Sequence, residues 1–199
     1  MANDPQKIRF APNGALYVAL LGGATITPPV DLGTADTAPA GYKALGYVDE
    51  GGVTLTPAIE TQPVNAWQSA TPVLYNVTSA SFSVKATLQE TSEITTELFW
   101  GAQWVEIMTE GASPTGTGVY RLDLASTPDL KELSLVVDWN QNAIRNRCVI
   151  PRAMISDRGA IQLNRTENGK FELTIEALDS AGTLGYVLTN DDIVDTVTP

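Results

Sequence analysis

The sequence predicts a mainly β protein, a sandwich or barrel-like fold with one short flanking helix. In its clearest stretch, Phe82, Val84, Ala86 and Leu88 alternate with polar residues, and this period of two is typical of a strand with one buried face. Only residues 92–101 carry the marks of a helix. With 199 residues, 43% of them hydrophobic, the chain is long and apolar enough to bury a full core as one domain.

Strands are predicted along most of the chain. The first, residues 15–20, follows a polar arm, and a glycine-bracketed strand pair is expected over residues 45–56. A long alternating strand begins at residue 73 and runs to residue 90. Shorter runs predict further strands at 104–108, 118–124, 133–139, 146–155, 160–163, 171–178 and 182–188. So many strands favour two packed sheets or a closed barrel.

The single predicted helix has a sequence signal at each end. Ser92, or Thr91 before it, can accept hydrogen bonds from the first free amides. Ile94 and Leu98 lie four residues apart and share one face, and Gly101 is placed to end the helix. The sequence therefore predicts one short capped helix after the long alternating strand.

A tight hairpin is predicted at residues 167–170. The pair Asn168-Gly169 tolerates the positive φ angles of a two-residue turn. We expect it to join a strand at 160–163 to the strand at 171–178.

The chain divides into a β domain with terminal arms. Residues 1–14 form a polar N-terminal arm, residues 15–188 the domain, and residues 189–199 an acidic C-terminal tail. Residues 22–43 form a long loop rich in Thr, Pro, Ala and Gly. Because long structureless loops in compact domains are usually functional, we expect this loop to reach a partner and to contribute little to the core.

Composition argues against catalysis and against tight binding of nucleic acid. The chain has no histidine, the side chain most often used for proton transfer near neutral pH and the commonest metal ligand. No calcium loop, phosphate cradle or activated nucleophile is complete, so no metal, cofactor or catalytic residue is predicted. The net charge of -11 repels phosphates. The lone Cys148 lies in a strand-like run and is expected to be a buried hydrophobe.

The charges are distributed in blocks. Residues 145–170 carry six basic and two acidic side chains, whereas residues 171–199 carry six acidic and no basic ones. Either the blocks are solvated strand faces, or the basic face packs on an acidic face of the next copy. The charged interface candidates are Asp31, Asp36, Arg145, Arg147, Arg152 and Arg158.

The tryptophans are predicted to play different parts. Trp100 ends the helix and Trp104 follows it, so both are expected to fill the core. Trp67 lies between two loop-like stretches and is the aromatic candidate for an interface.

One succession of motifs resembles a known family. It runs through the glycine-bracketed residues 46–53, Ala66-Trp67, the strand from Ser81 to Glu90 and the helix end at 98–101. In this order it is similar to the major tail proteins, or tail tube proteins, of long non-contractile-tailed bacteriophages. The resemblance spans roughly residues 15–188.

The resemblance implies an assembly role in a virion tail. Such proteins associate into six-membered rings that stack into a hollow tube, the conduit for DNA ejection. Their partners would be further copies of the chain together with tape-measure, tail-terminator and distal-tail proteins. We also expect DNA to pass without tight binding, assembly in the host cytoplasm and no membrane partner, because no leader or membrane-length apolar run is present.

The polar positions of two strands are the candidates for the bore of such a tube. They are small, polar or acidic, apart from one lysine that does not suit an acidic lining: Ser81, Ser83, Lys85, Thr87, Gln89, Glu172, Thr174 and Glu176. Contacts between rings are expected from the long loop and from both terminal arms.

Alternatives from other classes remain open at this stage. A monomeric β-sandwich that binds carbohydrate or a surface also has strands, loops and tryptophans without needing histidine. A capsid decoration or tail-terminator protein would form one closed ring without stacking, and the tube of a contractile secretion machine would share the fold.

Overall fold

The computed structural model describes residues 5–22, 26–110, 115–126 and 130–193. A 3-10 turn at Pro5–Lys7 precedes the strands and the helix. In chain order these are β1 (Asn13–Leu20), β2 (Lys43–Ala44), β3 (Val48–Val64), β4 (Leu74–Leu88), α1 (Glu93–Trp100), β5 (Trp104–Met108), β6 (Gly116–Leu122), β7 (Leu133–Gln141), β8 (Ile144–Arg158), β9 (Phe171–Ala177) and β10 (Tyr186–Thr189). The expectations that fall on residues 1–4, 23–25, 111–114, 127–129 and 194–199 lie outside the described residues.

Eight of the strands in this part of the chain form one antiparallel sheet. Its order is β2-β1-β7-β8-β9-β4-β3, and β10 pairs with the first part of β8. Strand β8 therefore has β10 beside its first half and β9 beside its second half, with a bulge between Ile155 and Asp157. Such a bulge bends a strand and increases its twist. The mainly β, sandwich-like fold with one short helix is confirmed.

The main core lies on one face of this bent sheet. Alternate residues of β4 and β9 point into it, and Leu135 of β7 and Ile150 of β8 are completely buried beside them. Helix α1 covers this face, and the rings of Phe99 and Phe171 meet edge to face with 5.3 Å between their centroids. Burial of this kind stabilises by roughly 1.5–3 kcal/mol for each large side chain.

Both ends of helix α1 are capped by the residues that the sequence predicts. The Ser92 side chain accepts a hydrogen bond from the Thr95 amide over 3.2 Å, and Gly101 has φ 71°, the left-handed conformation of a C-cap. Ile94 and Leu98 are both buried on the face that meets the sheet.

The long loop packs on the opposite face of the sheet, contrary to our expectation that it contributes little to the core. Tyr42 is buried there with Tyr17, Val136 and Val149. Its hydroxyl lies 2.7 Å from Ser134 Oγ. Composition alone could not reveal this second cluster, because the loop has few large hydrophobic residues to mark a buried face.

The tight turn occurs at a different place from the one predicted. Residues 160–163 are not a strand, and Asn168-Gly169 does not form a primed turn, so that prediction is wrong. Strands β7 and β8 are instead joined by Asn142-Ala143, where Asn142 has φ 54°. Asparagine tolerates this left-handed backbone better than most residues.

Two further predictions need correction. Residues 45–56 do not form a strand pair: Val48 and Val53 lie on one strand, β3, on either side of a bulge that contains Gly52 with φ 69°. The tryptophans near the helix are only partly covered, since Trp100 is 41% exposed and Trp104 37% exposed. The Trp104 indole N–H instead donates to Thr96 Oγ1 over 2.8 Å.

Candidate assembly surfaces

The predicted bore residues of β4 and β9 are brought together on one face of the sheet. Ser83 lies directly opposite Glu176, Lys85 opposite Thr174 and Thr87 opposite Glu172. Residues directly opposite in an antiparallel pair project to the same side. The other side of the same strands carries buried Val84, Ala86, Leu88, Phe171, Leu173 and Ile175, which hold the polar residues in place. We call the side with the six paired polar residues the polar face.

Thr54 and Thr56 of β3 extend the polar face, since they pair with Lys85 and Ser83. Two bore candidates lie at its margins. Ser81 is on the same side of β4, beyond the last residue pair with β9. Gln89 follows the end of β4, and its side-chain amide donates from Nε2 to Asp49 Oδ1 over 2.6 Å. The other six candidates lie closest together, because they form three residue pairs between β4 and β9.

The one lysine of the polar face forms an ion pair with a glutamate of the same face. Lys85 Nζ lies 2.6 Å from Glu172 Oε1. This hydrogen bond, with the charges of Glu172 and Asp157, raises the pKa of Lys85 above its ordinary value. The ammonium therefore stays protonated but is compensated locally, while the neighbouring Glu176 adds another negative charge. The polar face therefore keeps a net negative charge despite the lysine.

Most arginines of residues 145–170, the basic block, donate hydrogen bonds within the subunit. Arg147 is only 2% exposed and forms a bidentate pair with Asp138, with N–O distances of 2.7 and 2.6 Å. Arg152 forms a similar pair with Glu132, and Arg158 donates to the Leu98 carbonyl over 3.3 Å. A buried arginine cannot present its charge to another copy, so Arg147 is removed from the candidate interface.

The candidates in the long loop are exposed but anchored. The Asp31 carbonyl accepts from Arg147 Nη1 over 3.0 Å, while the Asp31 side chain is 80% exposed. The Gly33 carbonyl accepts from Arg145 Nη1 over 2.9 Å. Asp36 is exposed and has φ 56°. The loop backbone is thus fixed to the sheet, while the side chains of Asp31 and Asp36 are exposed.

The distal part of the β3–β4 hairpin projects beyond the main sheet. The last pair between β4 and β9 is Ser83–Glu176, so, among the strands that the structure describes, residues 57–82 pair only with each other. We call this segment the hairpin arm. Trp67 lies in its connecting turn and is 99% exposed. The structure places this interface candidate at the most accessible point of the arm.

The hairpin arm carries an exposed apolar surface that sequence reasoning missed. Ile59 is 68% exposed, Tyr75 62% and Val77 59%. A usable signal was present, because residues 57–82 contain a single charged residue, Glu60, in a chain that is 18% charged. Charge depletion beside apolar side chains is typical of interface cores.

The second hairpin, β5–β6, and the N-terminal arm also expose hydrophobic side chains. Val105 is 65% exposed and Val119 56%. In the N-terminal arm Phe10 is 69% exposed, while Arg9 forms a bidentate pair with Asp191 at 2.6 and 2.8 Å. The described parts of the two terminal segments are therefore joined to each other.

Three features of the described part of the chain bear on its chemistry: its acidic clusters, its thiol and a small cleft. No group of three or more acidic, histidine or cysteine side chains there is arranged to hold a metal. Cys148 is buried, as predicted, and burial raises the pKa of its thiol to about 11, so little thiolate exists near neutral pH. A cleft beside Leu98, Ile155 and Arg158 has a volume of about 20 Å³, room for about one water molecule.

These features define a structural protein that presents surfaces to partners. A family model described as phage tail tube protein matches residues 1–199, the whole chain. The chain belongs to the phage tail tube protein family and is a structural component of the virion tail. The family is not an enzyme family, and it implies assembly with itself and with other tail components. No curated protein matches the chain significantly. None of the described helices is long and apolar enough to cross a membrane.

Proposed function

We propose that the chain forms closed rings, expected to be hexameric, that stack into the hollow tail tube through which DNA passes during ejection. The observation that carries this proposal is the polar face of β4 and β9. It combines serine and threonine with two glutamates and one lysine, so its net charge is negative, and the other side of its strands is core. A rigid, negatively charged lining repels phosphates and lets a polyanion slide.

Sheet edges offer a means of closing each ring. The main sheet ends at β2 on one side and β3 on the other. Unpaired edges promote uncontrolled association, and closure of a sheet removes them. We propose that β2 of one subunit pairs with residues 48–56 of β3, the part of that strand outside the hairpin arm, in the next subunit. The β4–β9 surfaces would then line a common bore.

Contacts between rings would use the segments that stand outside the sheet. The exposed carboxylates of Asp31 and Asp36 and the exposed side chain of Phe10 support roles for the long loop and the N-terminal arm. The C-terminal tail remains a candidate for the same role. At the two ends of the tube the partners would be tape-measure, tail-terminator and distal-tail proteins, with assembly in the host cytoplasm.

Electron microscopy of the purified chain over a series of protein and salt concentrations tests the tube. We expect hollow tubes or stacked rings, favoured at higher protein concentration. Single closed rings that never stack would support a tail-terminator or decoration role instead. Virion tails whose tube contains a different protein would overturn the proposal.

Charge reversal tests the assignment of the bore. Virions that carry both Glu172→Lys and Glu176→Lys should have normal tails but should eject DNA more slowly, because the lining becomes attractive to phosphates. Glu167→Lys is the control, since this glutamate is exposed in the loop before β9 and lies outside the polar face. Ejection at the wild-type rate in the double variant would remove β9 from the bore.

A further inference from the structure

We propose that the apolar side of the hairpin arm docks on a second copy of this chain, and that it docks through this side rather than by pairing the arm's free strand edge. The inference rests on the proposed function, because it names a surface by which tube subunits hold one another. It goes beyond the contacts expected from the sequence, which lay in the long loop, the terminal arms and, within the turn of the hairpin arm, Trp67 alone.

The first observation is that the core-facing side of β4 continues into the arm. Phe82 has the same parity as Val84, Ala86 and Leu88, whose side chains are buried in the main core. Phe82 itself is partly buried against that core. Farther along, Phe82 pairs with Pro57 and Ala80 with Ile59, so the same side of the hairpin runs outward without a covering layer.

The second observation is the composition of the two sides of the arm. Past a bulge between Glu60 and Thr61, the register pairs Thr61 with Val77 and Pro63 with Tyr75. The side that continues the core therefore carries Pro57, Ile59, Thr61, Pro63, Tyr75, Val77, Ala80 and Phe82. We call it the apolar side. The opposite side carries mostly polar residues, among them Glu60, Gln62, Asn76 and Ser79.

The third observation concerns the free edge of β3. The Val64 carbonyl accepts from the Val73 amide, and the Glu60 carbonyl accepts from Thr78 Oγ1, so even-numbered residues direct their backbone groups toward β4. The odd-numbered residues then direct theirs to the free edge. Two of these, Pro57 and Pro63, have no N–H to donate. Prolines at such positions block the addition of another strand.

The occupant is a second copy because the arm lies beyond its own main sheet and the family assembles with itself. Within the described residues, 57–82 share no residue pair with any other strand, and the arm's side-chain hydrogen bonds, such as Ser79 Oγ to Glu60 Oε2 at 3.1 Å, stay within it. A strand of about ten residues extends roughly 30 Å. A two-stranded hairpin of this kind is only marginally stable alone, so cover from a neighbour would also hold its shape.

Neighbouring residues on β4 provide a matched test. Val77→Glu places a charge on the apolar side, and Asn76→Glu places the same charge one residue away on the opposite side. Val77 is 59% exposed, so both full-length variants should keep the wild-type circular dichroism spectrum and melting temperature. Self-association by sedimentation should weaken at least about tenfold in Val77→Glu and change little in Asn76→Glu, because an interface core excludes unpaired charge.

The outcomes separate this inference from the tube itself. Normal tubes from Val77→Glu would overturn the docking surface and leave the proposed function standing. Wild-type assemblies that are not tubes, but are lost in Val77→Glu, would support the docking surface and contradict the tube. A wild-type chain that stays monomeric at every concentration would overturn docking on a second copy.

A proline substitution tests the mode of docking. Thr61→Pro removes another N–H from the free edge while keeping the apolar side apolar. Docking through the apolar side predicts that this variant assembles like the wild type. Loss of assembly in a variant with normal folding would indicate edge-to-edge pairing.

Discussion

The two halves of β4 both alternate between polar and apolar side chains, with a bulge in the outer half, but their surroundings differ. In the inner half, Val84, Ala86 and Leu88 are covered by the rest of the domain and are at most 5% exposed. In the outer half, Tyr75 and Val77 are exposed to 62% and 59%. The comparison shows that alternation encodes which side of a strand is apolar, whereas the layer that covers it depends on tertiary or quaternary structure.

The largest contrast is expected between one substitution in the main core and one in the hairpin arm. Ile150→Ala removes a fully buried side chain and should lower the free energy of unfolding by about 2–5 kcal/mol. Ile59→Ala removes a side chain that is 68% exposed in the free subunit and should change it by less than about 0.5 kcal/mol. Urea denaturation of monomeric protein measures both. Similar losses at the two sites would show that the arm is packed within its own subunit.

Breaking the buried ion pair should have the next largest effect. Asp138→Ala leaves the Arg147 guanidinium buried without its carboxylate, and we expect a loss of about 3 kcal/mol. The long loop should also loosen, because the same guanidinium holds the Asp31 carbonyl. Limited proteolysis within residues 26–42 would report this loosening.

The exposed pair between Arg121 and Asp123 provides the control for that loss. Both side chains are more than half exposed, and Asp123→Ala should change stability by less than about 1 kcal/mol. Equal losses from Asp138→Ala and Asp123→Ala would contradict a structural role for the buried pair.

The smallest expected effect is a pH dependence at the start of β3, the end of that strand farthest from the turn of the hairpin arm. Asp49 accepts from Lys170 Nζ at 2.8 Å and from Gln89 at 2.6 Å, and these hydrogen bonds hold the pKa of the Asp49 carboxyl below its ordinary value. A lowered folded-state pKa stabilises the protein above the unfolded value of roughly 4, and this contribution is lost as pH falls through the folded value.

The corresponding variant is Asp49→Asn, measured by urea midpoints at pH 5 and pH 3. It should lose less stability over that interval than the wild type does. The matched variant Asp191→Asn removes a carboxylate whose pKa is likewise lowered, by Arg9, far from Asp49 in sequence. If Asp49→Asn has the wild-type slope while Asp191→Asn flattens it, the Asp49 contacts contribute nothing to acid stability.

Local sequence signals predicted the elements that local chemistry determines. The caps at Ser92 and Gly101, and the alternation through β4 and β9, are properties of adjacent residues and hold in the structure. The turn predicted at Asn168-Gly169 is absent, because residues 160–163 do not form a strand. The tight turn lies at Asn142 instead. A turn signal specifies a backbone preference, and tertiary structure decides whether strands flank it.

The candidate surfaces were predictable to a lesser extent. The paired polar residues of β4 and β9 follow from alternation, but their exact opposition depends on strand register, which one sequence does not reveal. Arg147 belongs to a basic block in the sequence and yet is buried against Asp138. The apolar side of the hairpin arm has the same pattern as the core strands, so alternation alone could not show that the subunit leaves it uncovered.

The central claim concerns what covers the apolar side chains of the alternating strands. In the main sheet they are covered by the same subunit, and in the hairpin arm they are covered by a neighbouring subunit. Cryo-electron microscopy of assembled wild-type tubes tests this most directly. We expect Ile59, Tyr75 and Val77 to lie against a neighbouring subunit, with no new strand paired at the edge that carries Pro57 and Pro63. Tubes in which the apolar side of the arm faces solvent would contradict the account.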